Sequence, residues 1–332
     1  MLIANYRLPY SDSFIEVRQS GEPILLYSVE ELRGIEGFVI APFDIAPLTP
    51  LVVIPTKGAT ITEKSCSQKL CSIDCFVKET MPISASYKED FNRFHDAITS
   101  GHFAKLVLAR TSRQEHPRQD PESLFFYFCQ KYPRAMVMLF DTPHTGTWIM
   151  ATPEILLEQQ KSLLRTMALA GTMPFSEGFP EWSEKNKHEQ NIVERYIENI
   201  ISPFCDQIIK DGPQTVRAGN LMHLRTDFRF HLKSKVSTAE LLAKLHPTPA
   251  VCGLPKDEAK EFIIKNESID RKYYSGFAGP LNLNGETHLY VSLRCMNIVD
   301  NQYIVYAGGG IMNESVVEEE WKETELKIIN RV

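Results

Sequence analysis

The chain is notable first for what it lacks. No run of 18 or more apolar residues occurs, so no segment reads as a membrane span. There is no basic run, and 36 lysines and arginines against 42 acids leave a formal net charge of -6, which makes nucleic acid a poor partner. The seven cysteines are an odd number. Cys66, Cys71 and Cys75 cluster without the paired C-x2-C spacing of common zinc sites and without a nearby histidine, and the rest are scattered. Reduced thiols are the expectation. The opening Met1-Leu-Ile-Ala-Asn-Tyr-Arg7 lacks the charged-then-apolar build of a signal peptide, so a cytoplasmic protein is expected. No internal repeat or low-complexity stretch appears. What remains is an ordinary globular composition, 43% hydrophobic and 23% charged over 332 residues, enough for one large domain or two intimate ones.

Apolar runs and turn residues give a coarse outline. Residues 1–80 read as short strands, among them Phe38–Ala41, Leu51–Pro55 and Cys75–Val77, with no catalytic spacing. The character changes near residue 84, which divides a β-rich segment, 1–84, from the remainder, 85–332. Phe91, Phe94 and Ile98 recur at helical spacing before Gly101, a natural C-terminal stop. Phe103–Arg110 is a buried-strand candidate, Leu124–Tyr132 a helix, and Arg134–Asp141 with Thr147–Ala151 a strand pair around Thr145-Gly146. Leu163–Ala170 reads as a strand stopping at Gly171. After Ser183, a candidate N-cap, Val193, Tyr196, Ile197, Ile200 and Ile201 form one wide helical face ending near Pro203. Thr238–Leu245 and Asp257–Asn266 are further helices, and Leu289–Val299 and Tyr303–Ala307 late strands. Strands in groups with helices between the groups imply an α+β fold with antiparallel sheets.

Several polar residues sit where apolar ones are expected. Lys105 alternates with Leu106 and Leu108; it either snorkels to a sheet edge or faces an enclosed cavity, where burial would favour the neutral amine. Glu154 leads an apolar run, as a helix-start charge or a buried acid of raised pKa. Glu189 lies on the apolar side of its helix, where a carboxylate is usually paired or metal-bound. Arg294, inside a strand-like run, suits a bidentate carboxylate partner or a structural ion pair. His246, wedged before turn prolines, is either an active-site donor or a structural residue. Near the C-terminus, Ser315 and Glu318 have capping-box spacing, and Glu320, Glu323, Thr324 and Lys327 share one side of the helix that would follow. Gly308, Gly309 and Gly310 precede it and can let backbone N–H groups approach a ligand. Two acids for a hard cation thus stand beside a lysine and amides for carboxylates, unless this is only a solvated acidic helix.

The ensemble resembles the chorismate-utilising enzymes, which include isochorismate, salicylate, anthranilate and aminodeoxychorismate synthases. The resemblance rests on Lys105-Leu-Val-Leu-Ala-Arg110, Thr152-Pro-Glu-Ile-Leu-Leu157, Leu169-Ala-Gly-Thr172, Glu184-Lys-Asn-Lys-His-Glu189, Leu245-His-Pro-Thr-Pro-Ala250, Arg271-x-x-Tyr274-x-Gly276, Leu293-Arg-Cys295 and the closing glycines with Glu320, Glu323 and Lys327. It covers about residues 85–332 and implies two large antiparallel sheets packed face to face, helices outside, and an active site in the cleft between them. It implies Lys105 as the base that activates water and Glu154 as the acid that protonates the leaving hydroxyl. Glu189 and Glu323, with Glu320 beside them, are the implied Mg2+ ligands. Gly171, Thr172, His246, Tyr274, Arg294, Gly308, Gly309 and Lys327 are the implied substrate contacts, and the substrate is chorismate.

Product choice follows from two positions. In this family, anthranilate synthases resemble one another in carrying glutamine where Lys105 stands, and aminodeoxychorismate synthases in carrying lysine where Ala170 stands. The resemblance therefore implies a Mg2+-dependent, monomeric isochorismate synthase, most simply one serving menaquinone synthesis. Salicylate or siderophore synthesis, an amidotransferase-coupled component and a non-catalytic binder are the alternatives. Departures from the family pattern are Gln190 in place of a histidine, Asn186 in place of an acid, Phe175 in place of an arginine, and a short loop after it.

Overall fold

The computed structural model describes residues 1–66, 81–115, 120–177, 181–218 and 221–329. Six strands come first: β1 (Leu2–Arg7), β2 (Ser13–Gln19), β3 (Ile24–Leu26), β4 (Gly37–Ala41), β5 (Leu51–Pro55) and β6 (Thr60–Ser65). Helix α1 (Ala85–Thr99) leads to β7 (Lys105–Glu115), and α2 (Pro121–Lys131) to β8 (Met136–Thr142), β9 (Gly146–Thr152), β10 (Ile155–Gln160) and β11 (Leu163–Pro174). The long α3 (Glu184–Ile201) precedes the hairpin β12 (Cys205–Ala218) and β13 (Leu221–Leu232). Then follow α4 (Thr238–Leu245), β14 (Gly253–Leu254), α5 (Lys256–Asn266), β15 (Phe277–Leu281), β16 (Glu286–Val291), β17 (Cys295–Val299), β18 (Gln302–Ile311) and α6 (Val317–Ile329).

These strands form two nine-stranded sheets, ordered β14-β7-β18-β17-β9-β8-β1-β2-β6 and β12-β13-β11-β10-β16-β15-β4-β5-β3. The sheets pack face to face. Phe38 of one lies 5.9 Å from the Tyr6 ring and 6.3 Å from the Phe140 ring of the other, and Trp148, Met150 and Met167 fill the same layer. Helices cover the outer faces. Val193, Ile197 and Ile201 of α3 pack with α4 on the second sheet, α2 covers the first, and α1 and α5 close over β7 and β18. The fold is the α+β arrangement of antiparallel sheets read from the sequence. The first 66 residues complete both sheets, since β1 pairs with β8 and β4 pairs with β15.

Local signals set several boundaries. Ser183 caps α3 by accepting the Asn186 N–H at 3.2 Å, and the Gly101 N–H, at φ +82°, closes α1 on Ile98 O. Four expectations are corrected. Leu289–Val299 is not one strand: β16 ends at Val291, and Ser292–Arg294 carry the chain across to the first sheet before β17 begins. Arg294 sits at φ +48° in that crossing, its carbonyl accepting the Ala151 N–H at 3.1 Å, so it is not an in-sheet arginine. β11 does not stop at Gly171 but bulges there and continues to Pro174. Finally, α6 starts at Val317, and Ser315 Oγ accepts the Met312 N–H at 3.0 Å. Cys71 and Cys75, with the strand expected there, lie outside the described residues.

Candidate active site

The site is built on the pairing of β7 with β18. In that register Gly308, Gly309 and Gly310 face Ala109, Leu108 and Val107. A methyl group at Gly310 would stand 2.4 Å from Glu189 Oε1 and 2.8 Å from Lys105 Cε, and one at Gly309 3.1 Å from Glu320 Oε2. The glycines leave the space that lets an amine and two carboxylates come down onto the strand backbone. Lys105 is fully buried, at 0% exposure, with Nζ 2.7 Å from Glu189 Oε1. It does not snorkel. It faces the interior between the sheets.

The carboxyls of this interior are held in different states. Glu154 is 2% exposed, and burial pushes its pKa up to about 8 against the opposing pull of Lys105, Thr248 and Lys327. It is a protonated acid at neutral pH. Burial also pushes Glu189 upward, but the Lys105 ammonium, with Lys327 and Lys185, outweighs it and holds Glu189 below the usual carboxylate range. Glu320 is raised by burial and by the neighbouring Glu323, although Lys185 is paired with it. Lys327 donates to Glu323 at 2.6 Å and to Gly308 O at 2.9 Å.

The opposite wall is the bulge in β11. With Gly171 at φ +68°, the strand turns two amides out of the ladder, and the first turns of α3 receive them. Ala170 N–H donates to Gln190 Oε1 at 2.9 Å and Gly171 N–H to Glu189 Oε2 at 3.3 Å. Gln190 is thus a bracket for the bulged strand, also donating to Ala168 O at 3.2 Å.

One cavity between the sheets is lined by Glu154, Gly171, Thr172, Glu189, Tyr274, Arg294, Gly308, Gly309, Glu323 and Lys327. Lys105 stands against it through Glu189, and Glu320 through Gly309. Among the described residues no three His, Cys, Asp or Glu side chains are grouped so as to hold a metal ion as they stand. Yet Glu189, Glu320 and Glu323 converge on Gly309 and Gly310, and Glu320 Oε2 is buried without a hydrogen-bond partner. An orphaned carboxylate oxygen beside two further carboxylates is donor chemistry for a hard divalent cation that keeps some of its waters.

Residues 54–330 match the family described as chorismate binding enzyme. The chain belongs to that family. Among curated relatives of this chorismate binding enzyme, isochorismate synthase DhbC of Bacillus subtilis is 28% identical over 265 residues, covering 74% of this chain and 67% of that protein. Isochorismate synthase MenF of Escherichia coli is 32% identical over 238 residues, covering 69% of this chain but only 52% of that one. Among solved structures, the Bacillus anthracis chain described as a 2,3-dihydroxybenzoate-specific isochorismate synthase, DhbC, superposes with TM-score 0.83 at 25% identity, covering 99% of this chain and 95% of that chain. The menaquinone-specific isochorismate synthase MenF of Escherichia coli shares the fold with TM-score 0.82 at 22% identity, covering 100% and 88%.

Two residues of this chorismate binding enzyme differ from the sequence reading. His246 does not line the cavity. Its ring lies edge-on to Phe277, 5.0 Å away, and burial, reinforced by the Lys260 and Lys256 charges, pushes its pKa down to about 3. His223 does line it and was not foreseen. Burial, with the Arg294 charge, pushes its pKa down to about 3, so the ring is neutral. Nδ1–H donates to Gly171 O at 2.9 Å, which leaves Nε2 to accept from the Arg294 guanidinium at 3.1 Å. The only signal was a histidine within Leu221-Met-His-Leu224, a strand buried on both faces, where alternation gives no direction.

Proposed function

We propose that this chorismate binding enzyme is an isochorismate synthase. The observation that carries the reading is a protonated Glu154 lining the cavity, with the fully buried Lys105 reaching it through Glu189. The reaction adds water at C2 of chorismate and expels the C4 hydroxyl as the ring double bonds shift. Lys105, paired as an ammonium with Glu189, would first give up that proton and then, through its amine lone pair, take one from the attacking water. Glu154 gives one to the departing hydroxyl, which leaves as water. Acid–base chemistry near neutral pH needs a protonated acid and an amine base beside the same substrate, and burial supplies the first of these at Glu154.

Chorismate is a dianion, and the chain as a whole is acidic, so local cations must hold it. Arg294 and Lys327 line the cavity together with Gly308 and Gly309, and these two cations would hold the dianion. Mg2+ is the proposed cofactor; Glu189, Glu320 and Glu323 would hold it, and it would neutralise a substrate carboxylate. The narrower proposal is service to menaquinone synthesis in the cytoplasm by a monomer. Solved structures described as menaquinone-specific and as 2,3-dihydroxybenzoate-specific are both similar to this chain and do not distinguish the route.

The test is purified protein incubated with chorismate and Mg2+, products separated by chromatography. Isochorismate without added ammonia is expected. Salicylate as the sole product, or anthranilate when ammonia is supplied, would overturn the assignment.

A further inference from the structure

A second cavity, of about 310 Å³, shares Arg294 and Pro153 with the cleft and none of its other lining groups. Its volume lies at the lower end of the range for small-molecule sites, about 300–1,000 Å³. Its wall is apolar where Phe128, Pro133, Ala135 and Ala151 meet, and among the described residues no acidic side chain lines it. Positive charge enters from three sides besides Arg294. Lys131 reaches it from the end of α2, Arg134 from the turn before β8, and Arg217, stacked 3.7 Å over the Phe175 ring, from the end of β12.

Arg294 decides what such a cavity would take. A guanidinium carries five N–H donors in a rigid fork. Among the described residues its one hydrogen bond goes to neutral His223, and no carboxylate lies within ion-pair distance. The remaining donors are open to the two cavities that the side chain separates. A partly buried cation with a neutral partner calls for an anion, and a fork beside an apolar wall matches a flat carboxylate.

We propose that this cavity is a binding site for a small aromatic or cyclic monocarboxylate. The ring would lie against Phe128 and Ala151, and the carboxylate would be held between Arg294 and Arg134. Because the cleft draws on the same guanidinium, a ligand here weakens the cleft's hold on its own anion. The site is thus suited to restraint by a downstream ring acid. Binding at this site does not depend on the reaction proposed above.

The test is calorimetric titration of the full chain with benzoate, at low ionic strength and without metal or chorismate. Saturable binding is expected, weakened at least tenfold by Arg134→Glu and unchanged by Lys327→Ala. Arg134 is exposed, so the first variant should fold, and the second removes a cation that lines only the cleft. The proposal is overturned if the wild-type chain shows no saturable binding. It is equally overturned if Lys327→Ala weakens binding while Arg134→Glu does not, because benzoate would then occupy the cleft.

Discussion

The space between the two sheets has two unlike halves. In one, Phe38, Tyr6, Phe140 and Met138 interlock, and the interior is as dry as a core should be. In the other, Lys105, Glu154, Glu189 and Glu320 are nearly as buried, and the packing is of charges. Burying apolar area contributes about 25 cal/mol per Å², whereas burying an ion costs several kcal/mol before any partner repays it. The first half therefore holds the sheets together, and the second half draws on that stability to keep reactive groups poised.

The contrast can be broken most severely at Lys105. Lys105→Ala should lower turnover by roughly 10²- to 10⁴-fold, the usual worth of a positioned base, while chorismate still binds. Single-turnover kinetics set beside equilibrium binding would separate the two effects. Unchanged turnover would remove the base role.

The next largest effect is in stability. Phe38→Ala should cost about 3–5 kcal/mol in urea unfolding because Phe38 is 1% exposed, and should leave the KM of the folded fraction unaltered. A large KM change would mean the two halves are coupled, against the division drawn here.

Glu154 gives an opposite sign. Its folded pKa of about 8 lies above the ordinary 4.5, so between those values the unfolded chain releases a proton that the folded chain retains. Stability is fully present below about pH 4.5 and is lost as pH rises toward 8, by on the order of a few kcal/mol. Glu154→Gln should abolish that slope and make the protein more stable than wild type at pH 8, while impairing turnover. Melting temperatures of both proteins across pH 5 to 8 check it; parallel curves would contradict a protonated Glu154.

The smallest effect is expected at His223. His223→Ala removes the neutral acceptor that orients Arg294, a bond worth about 1 kcal/mol, or roughly fivefold in KM with kcat nearly constant. A fall in kcat alone would place His223 in the chemistry rather than in positioning.

Much of this was legible in the sequence because it was local. The Ser183 cap, the α4 limits and the helical side carrying Glu320, Glu323 and Lys327 depend on neighbours a few residues away. The grouping of strands with helices between them was enough for the α+β class. Failures came where a remote element decides. Arg294 leaves its strand because Thr152 and Ala151 of β9 engage the carbonyls of Val291 and Arg294, about 140 residues apart in the chain. Lys105 could not be told from a snorkelling edge lysine until Glu189 was seen across from it. The β12–β13 hairpin escaped notice because β12 is largely exposed and polar, and with it went His223.

The triple glycine of β18 has a consequence for how this protein can change. At Gly310 the methyl group of alanine would press on the ends of both the Glu189 and the Lys105 side chains, which would have to move aside, although every charge would persist. A single added carbon there would thus alter the spacing of the buried amine and its carboxylate partner while leaving their chemistry in place.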